Sequence, residues 1–183
     1  FWQGHFTQAR VYLQQVVDSY ARLHHDRHVI EYGQDTGVYC RARLGWTLWY
    51  LGYPDQARQQ CETSVELARQ LRHPFTLSLV LTYSSLCACT YRDAVVAEKL
   101  VRSLESNRDS TSSRAEGQFG FIDGWLLLLH GEVDNSSEQL LINIAGKREF
   151  TSDSTAFPHT IALLSEAYGQ AGDYSQGLAT LAE

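Results

Sequence analysis

The chain has 183 residues, of which 20% are charged and 44% hydrophobic, and these proportions are typical of a folded globular protein. Its formal net charge is −6 and its pI is about 5.6, which argues against a basic surface that follows the phosphates of nucleic acid. The longest apolar run, at residues 125–129, is far too short to cross a bilayer. We therefore expect neither a nucleic-acid partner nor a membrane partner.

In chain order, the first predicted helix covers residues 4–20 and follows a turn at Gly4. Its apolar stripe has the spacing of one helix face and consists of Ala9, Tyr12, Leu13, Val16 and Val17. A polar connector with several histidines comes next, and we expect it to be partly helical. His24 and His28 would share a helix face, but no acidic or thiol side chain nearby completes a zinc shell, so no metal site is predicted.

Residues 38–51 and 55–71 form the clearest unit, two helices joined by a turn at Gly52. Pro54 suits the first turn of the second helix because the N–H group that proline lacks would have no partner there. The apolar stripe of the second helix consists of Ala57, Cys61, Val65, Leu67, Ala68 and Leu71. A single hairpin cannot bury its apolar side, so this unit predicts further copies of itself.

The copies are predicted at residues 75–89 with 93–105, 115–130 with 136–150, and 158–171 with 174–182. Alignment on the turns, with Cys89 as the third turn, places small residues at two positions where the helices of a hairpin would approach closely. Five residues after the turn stand Ala9, Ala57, Ala94, Ser136 and Gly177, and seven residues before it stand Gly45, Thr82, Gly124 and Ser165. The units recur at roughly 40 residues, somewhat longer than the common helical repeat of roughly 34 residues.

The four cysteines, Cys40, Cys61, Cys87 and Cys89, all lie in apolar helical runs. Their spacing matches no zinc pattern, so we interpret them as free structural thiols. Free thiols predict a reducing, cytoplasmic compartment.

Two fragments are similar to the signature of the tetratricopeptide (TPR) repeat: Leu44-Gly45-x-x-Leu48 with Gly52 and Ala57, and Leu164-Ser165-x-x-Tyr168 with Gly172. The runs 32–57, 67–79 and 163–183 resemble the C-terminal TPR region of large bacterial signalling ATPases, many of which carry a nucleotidyl cyclase domain. The resemblance implies an all-α, right-handed solenoid of about four and a half hairpins, a single domain over residues 1–183. It also implies a non-catalytic protein–protein interaction or regulatory module.

The chain contains no methionine and opens with Phe1-Trp2, so we expect it to be a piece of a longer protein. The first helix of its first hairpin would then be missing. This predicts an exposed apolar end through which two copies could pair as a homodimer.

The aligned first helices, which would line the concave face of such an array, carry aromatic side chains that we take as the candidate binding surface. These residues are Tyr39, Trp46, Tyr83, Phe121 and Trp125. Aromatic side chains dominate interface energetics, so the expected partner is a protein, a peptide or another domain of the same chain. Two alternatives stay open: the rings only fill gaps between helices, or Tyr39, Trp46 and Trp125 hold a small molecule.

Catalytic motifs are absent from the sequence. It has no G-x-x-x-x-G-K-[ST] loop, no H-E-x-x-H pair and no triad in a recognised order. Asp123 is an acid inside an apolar helix and is better interpreted as a cap or an arginine partner than as a general base. We predict no cofactor and no enzymatic activity, with an enzyme segment whose site lies in the concave groove as the less favoured alternative.

Overall fold

The computed structural model describes residues 1, 3–20, 25–107, 126, 161–162, 165–166 and 168–182. The chain divides into two compact units, the first made of Phe1 and His5–Glu116 and the second of Trp2–Gly4 and Gly117–Glu183. The regular structure of the described residues is helical and includes no strand, which confirms the predicted all-α class. The single repeat domain over residues 1–183 remains a prediction.

The described residues contain helices close to the predicted bounds. They are α1 (Phe6–Ser19), α2 (His25–Tyr32), α3 (Thr36–Tyr50), α4 (Pro54–Leu71), α5 (Pro74–Thr90) and α6 (Ala94–Glu105) in the first unit, and α7 (Tyr174–Leu181) in the second. The connector expected to be partly helical contains α2. The helices predicted at 115–130 and 136–150 lie outside the described residues, apart from the buried, helical Leu126.

Polar side chains determine where several of these helices begin. Each of them accepts a hydrogen bond from the backbone N–H three residues later, at 2.9 to 3.3 Å. The first N–H groups of a helix have no partner inside it, so such caps stabilise the start. The capping residues are Asp35 (α3), His73 (α5), Asp93 (α6) and Asp173 (α7).

Helix α3 is the central element of the first unit, because it packs against α1, α4 and α5. Val38 and Leu44 are fully buried, and Trp46 is only 1% exposed. Helix α5 packs against α3, α4 and α6 and is buried on nearly every side. The hydroxyls of Ser78, Thr82 and Ser85 donate to carbonyls one turn earlier, at 2.8 to 3.0 Å.

The predicted apolar stripe of the first helix is wrong at Tyr12, which is 58% exposed. Spacing also fails to predict burial on α6, where Val95 is 78% exposed. Helix α1 buries only the narrower strip of Ala9 and Val17, with Leu13 packed against the core. The spacing of apolar residues overestimates the buried width because it counts every apolar residue near the stripe.

The turns before α4, α6 and α7 share one hydrogen-bond pattern. The N–H groups of Tyr53, Asp93 and Asp173 each donate to a carbonyl five residues earlier, at 2.9 to 3.1 Å. The residue before each donor has a positive φ: 81° at Gly52, 56° at Arg92 and 82° at Gly172. Arg92 is therefore the third turn residue, and the alignment on Cys89 is wrong. Glycine is the usual residue at a positive φ, so the arginine at this position gave no indication of the turn in the sequence.

The corrected register changes which residues are equivalent. The small residues of the α5–α6 hairpin become Ser85 and Ala97, both fully buried, instead of Thr82 and Ala94. The equivalent of Trp46 becomes Leu86 rather than Tyr83. Tyr83 is instead equivalent to Arg43 of the preceding hairpin.

The predicted reason for small residues is confirmed in both units. A Cβ atom on Gly45 would lie 2.6 Å from Cys61 Sγ and 3.0 Å from the Ala57 carbonyl oxygen. In the second unit, a Cβ atom on Gly177 would lie 3.1 Å from the Ser165 carbonyl oxygen. These distances are shorter than ordinary van der Waals contact, so each helix pair approaches too closely for a larger side chain.

Candidate partner-binding site

Three of the five predicted site residues come together between α3 and α5. The ring centroids of Tyr39 and Tyr83 are 5.6 Å apart with an interplanar angle of 70°, an edge-to-face arrangement. The ring centroid of Trp46 lies 5.8 Å from that of Tyr83. The other two residues, Phe121 and Trp125, lie outside the described residues.

Arg43 lies among these rings and was missed by the sequence analysis. Its Nη1 atom donates to the hydroxyl of Tyr39 at 2.8 Å and to that of Tyr83 at 3.4 Å. Its Cζ atom lies 5.6 Å from the Tyr39 ring centroid and 5.1 Å from that of Tyr83. The residue is only 6% exposed, so these ring faces and phenol oxygens replace the water that a guanidinium normally binds. Its spacing could have identified it, because Arg43 follows Tyr39 by one helical turn and precedes Trp46 by another.

A fourth ring covers this group from the start of the chain. The Cζ atom of Arg43 lies 4.3 Å from the Phe1 ring centroid, the shortest of its distances to these aromatic rings. The Phe1 ring centroid also lies 5.3 Å from that of Trp46 and 6.5 Å from that of Tyr50. We call Phe1, Tyr39, Arg43, Trp46, Tyr50 and Tyr83 the aromatic–arginine cluster.

The members of the cluster differ in their access to solvent. Trp46 is 1% exposed and Tyr83 is 7% exposed, whereas Phe1, Tyr39 and Tyr50 are half-buried. A partner can therefore reach the half-buried rings directly. Contact with the ring of Trp46 requires that a covering ring moves first.

The electrostatics of the cluster depend on the guanidinium. Burial, followed by the neighbouring Tyr83, raises the pKa of Tyr39 despite the opposing effect of Arg43. Burial also raises the pKa of Tyr50. These phenols stay neutral near pH 7, so Arg43 gives the cluster a positive charge surrounded by electron-rich ring faces.

A second polar group surrounds Asp35, which is fully buried. Its Oδ2 atom accepts a hydrogen bond from the Tyr20 hydroxyl at 2.9 Å and lies 2.8 Å from His25 Nδ1. Its Oδ1 atom caps α3, and its N–H donates to Thr76 Oγ1 at 2.9 Å. Through its side chain and its backbone N–H, this single residue therefore connects the end of α1 with α2, α3 and α5. An aspartate three residues before the first apolar position of a helix is a typical cap, and that pattern could have identified it.

His73 extends the group around Asp35. Its Nδ1 atom lies 2.8 Å from Thr76 Oγ1 and accepts the Thr76 N–H at 3.3 Å. Burial, and next the neighbouring imidazole of His25, lower the pKa of His73.

Among the described residues, no group of three His, Cys, Asp or Glu side chains is placed to hold a metal ion.

The buried thiols are a further set of titratable side chains in the core. Cys61, Cys87 and Cys89 are buried, and all four cysteines are free. Burial raises the pKa of Cys89 and holds that of Cys87 well above its usual range. Protonated thiols without access to solvent are poor nucleophiles, so these residues act as small core side chains.

The comparisons with known proteins give no relative. No protein-family model matches the chain, and no curated protein or solved structure is significantly similar to it. Within the part of the chain that the structure describes, no helix has the length and apolar character needed to cross a membrane.

Proposed function

We propose that the chain is a TPR-like, right-handed solenoid whose function is to bind a protein or peptide. In this proposal it is a non-catalytic regulatory scaffold, located in the cytoplasm, of a multidomain bacterial signalling ATPase or nucleotidyl cyclase. The recurrence of one turn geometry at Gly52, Arg92 and Gly172 supports the repeat class. The local close approach of Gly45 to Ala57, and of Ser165 to Gly177, supports it independently.

The aromatic–arginine cluster is the observation on which the binding function rests. Half-buried rings beside a guanidinium combine apolar area with a fixed charge, and Tyr, Trp and Arg are the residues most often found at energetic hot spots. Tyr39 is half-buried and also holds Arg43 through its hydroxyl at 2.8 Å. We therefore propose Tyr39 as the first contact of the partner on this surface.

The test is selection of binding peptides from a displayed library on the wild-type chain, followed by calorimetric titration of the selected peptides. Tyr39→Ala is expected to weaken binding by about tenfold or more, the usual loss at a hot spot. Tyr12→Ala is the matched control, because Tyr12 is 58% exposed on α1, outside the cluster. Thermal melting of both variants separates lost binding from lost folding.

A Tyr39→Ala variant that melts like the wild type and binds the selected peptides equally well would overturn the proposal. A small-molecule adduct in the native mass spectrum, lost in the same variant, would favour ligand sensing instead.

We also propose that copies of the chain pair through apolar repeat ends. Helix α7 supports this, because it exposes an apolar stripe spaced at four and three residues. The stripe consists of Tyr174, Leu178 and Leu181, which are 70%, 69% and 59% exposed. Side chains of this size, exposed on one face of a helix, are typical of a contact surface.

A further inference from the structure

We infer that Arg43, Trp46 and Tyr50 form a receptor for a phenylalanine side chain, and that Phe1 occupies this receptor within the same chain. A partner peptide that presents a phenylalanine then binds by displacing Phe1. This inference deepens the proposed interaction function and rests on it. It specifies the chemistry of the partner and the contact that regulates access.

The position of the Phe1 ring carries the inference. The Cζ atom of Arg43 lies 4.3 Å from its centroid, within the distance at which a cation is attracted to a ring face. The ring centroids of Trp46 and Tyr50 lie 5.3 and 6.5 Å from that of Phe1, separations typical of aromatic pairs. These three side chains come from α3, so one helix presents them at successive turns, and Phe6 of α1 adds an edge-to-face contact with the Phe1 ring at 5.5 Å.

Residues 3–5, which follow Phe1 closely in the chain, are exposed, whereas helix α3 is largely buried. Phe1 is half-buried, whereas Gln3, Gly4 and His5 are exposed. Gly4 has a φ of 77°, and a Cβ atom built on it meets nothing within 4 Å. The ring is thus inserted from an exposed stretch of chain, as the anchor side chain of a bound peptide would be.

The chemistry of the receptor favours phenylalanine over other side chains. An aliphatic side chain would fill the same volume but has no electron-rich face for the guanidinium. The Phe1 ring itself shows that an unsubstituted phenyl group fits against Arg43, Trp46 and Tyr50 at these distances. Phenylalanine therefore supplies the ring face without a polar group that would lose its water on burial.

Competition between the two phenylalanines follows from the short connection between Phe1 and α1. A side chain on so short a tether has an effective concentration of roughly millimolar, so a peptide in solution binds weakly until Phe1 leaves. Removing the Phe1 ring should therefore strengthen binding. The affinity for the peptide should increase about tenfold if Phe1 occupies the receptor in about nine molecules out of ten.

The experiment compares the wild-type chain with its Phe1→Ala variant, and its probe is the N-acetylated tetrapeptide amide Phe-Trp-Gln-Gly, the first four residues of the chain. Acetylation removes the amino-terminal charge, which would repel Arg43. Calorimetric titration should give about a tenfold lower Kd for Phe1→Ala than for the wild type. The matched control peptide Ala-Trp-Gln-Gly should bind neither protein.

Equal affinity of the two proteins for the probe, or equal binding of the control peptide, would overturn the inference. So would the absence of probe binding to both proteins, yet the proposed function would still stand if display-selected peptides bind in a Tyr39-dependent way. If Phe1→Ala fails to fold, Phe1→Leu replaces it, since leucine keeps the apolar volume without the ring face. That variant should also bind the probe more tightly than the wild type, and wild-type affinity would overturn the inference.

Discussion

Arg43 shows how a charged residue is accommodated in the interior of the first unit. A buried guanidinium without partners is strongly unfavourable, and few side chains can replace its hydration. Here three rings lie with their centroids 4.3 to 5.6 Å from its Cζ atom, and two phenols accept its hydrogen bonds. The same contacts fix the rotamers of Tyr39 and Tyr83, so the charge also orders the candidate binding surface.

At Gly45 the absence of a side chain is itself a packing requirement. Gly45→Ala places a Cβ atom 3.0 Å from the Ala57 carbonyl oxygen, which belongs to the backbone and cannot move aside cheaply. We expect the free energy of unfolding to fall by about 1–3 kcal/mol, as measured by urea denaturation. Gly169→Ala is the control, because a Cβ atom there meets nothing within 4 Å. The helical propensity of alanine should make the control neutral or stabilising. A Gly45→Ala variant as stable as the wild type would contradict the close approach of α3 and α4.

His73 should make the stability of the protein depend on pH. Its pKa is lowered in the folded state, first by burial and then by His25, and its neutral Nδ1 atom accepts the N–H of Thr76 at the start of α5. Above the ordinary value of about 6.5 the imidazole is neutral in both states, and its contribution to stability is complete. As the pH falls through about 6.5, the unfolded chain takes up the proton first and the free energy of unfolding decreases.

Urea denaturation at several pH values between about 7.5 and 5.5 measures this decrease. The control is His73→Asn, which keeps a capping acceptor but cannot titrate in this range. This variant should lose part of the pH dependence. An unchanged pH profile in His73→Asn would assign the dependence to other groups.

At the scale of the helices, the periodic spacing of apolar residues predicted most elements. It failed at a turn where a residue other than glycine adopts a positive φ. The bounds of α3 to α6 follow from apolar spacing, from Pro54 and Pro74 at first helical positions and from capping side chains. The register of the α5–α6 turn could not be predicted, because Arg92 adopts the positive φ that glycine usually provides. That one residue misaligned Tyr83 with Trp46, although the two rings do lie 5.8 Å apart.

Asp93 tests how much a single cap contributes to an element. Its Oδ1 atom accepts the Val96 N–H at 3.1 Å, and its Oδ2 atom lies 2.8 Å from Nη1 of Arg58. Asp93→Ala removes both contacts and should lower the free energy of unfolding by about 1 kcal/mol. Asp93→Asn keeps the cap and loses the charge, and a surface ion pair contributes only a few tenths of a kcal/mol. Urea denaturation of both variants measures the difference, and equal losses would show that the ion pair matters more than the cap.

At the scale of the whole molecule, the exposed stripe of α7 predicts self-association. Light scattering over a range of concentrations should show an increasing mass for the wild-type chain, because pairing removes apolar surface from water. The double substitution Leu178→Ser and Leu181→Ser should keep the protein monomeric. Val95→Ser, which changes a 78% exposed residue on α6, is the control and should associate like the wild type. A wild-type protein that stays monomeric at high concentration would rule out pairing through this end.

The candidate site was only partly predictable for a related physical reason. Spacing identified Tyr39 and Trp46 because they lie on one face of a single helix, a short-range property of the sequence. The covering ring of Phe1 and the connection from Asp35 to Thr76 depend on contacts between residues far apart in the chain. No periodicity encodes such contacts, so they become visible only in the folded structure.

The hydrogen bond from the Asp35 N–H to Thr76 Oγ1 has a consequence for the order of events in folding. It joins residues 41 positions apart, with the entire α3–α4 hairpin between them. Loop closure of this length is costly until the intervening hairpin has formed, so the bond should appear only when α5 docks onto α3. In pulse-labelling experiments, the exchange of this one amide proton with deuterium should therefore record the moment at which the second hairpin joins the first.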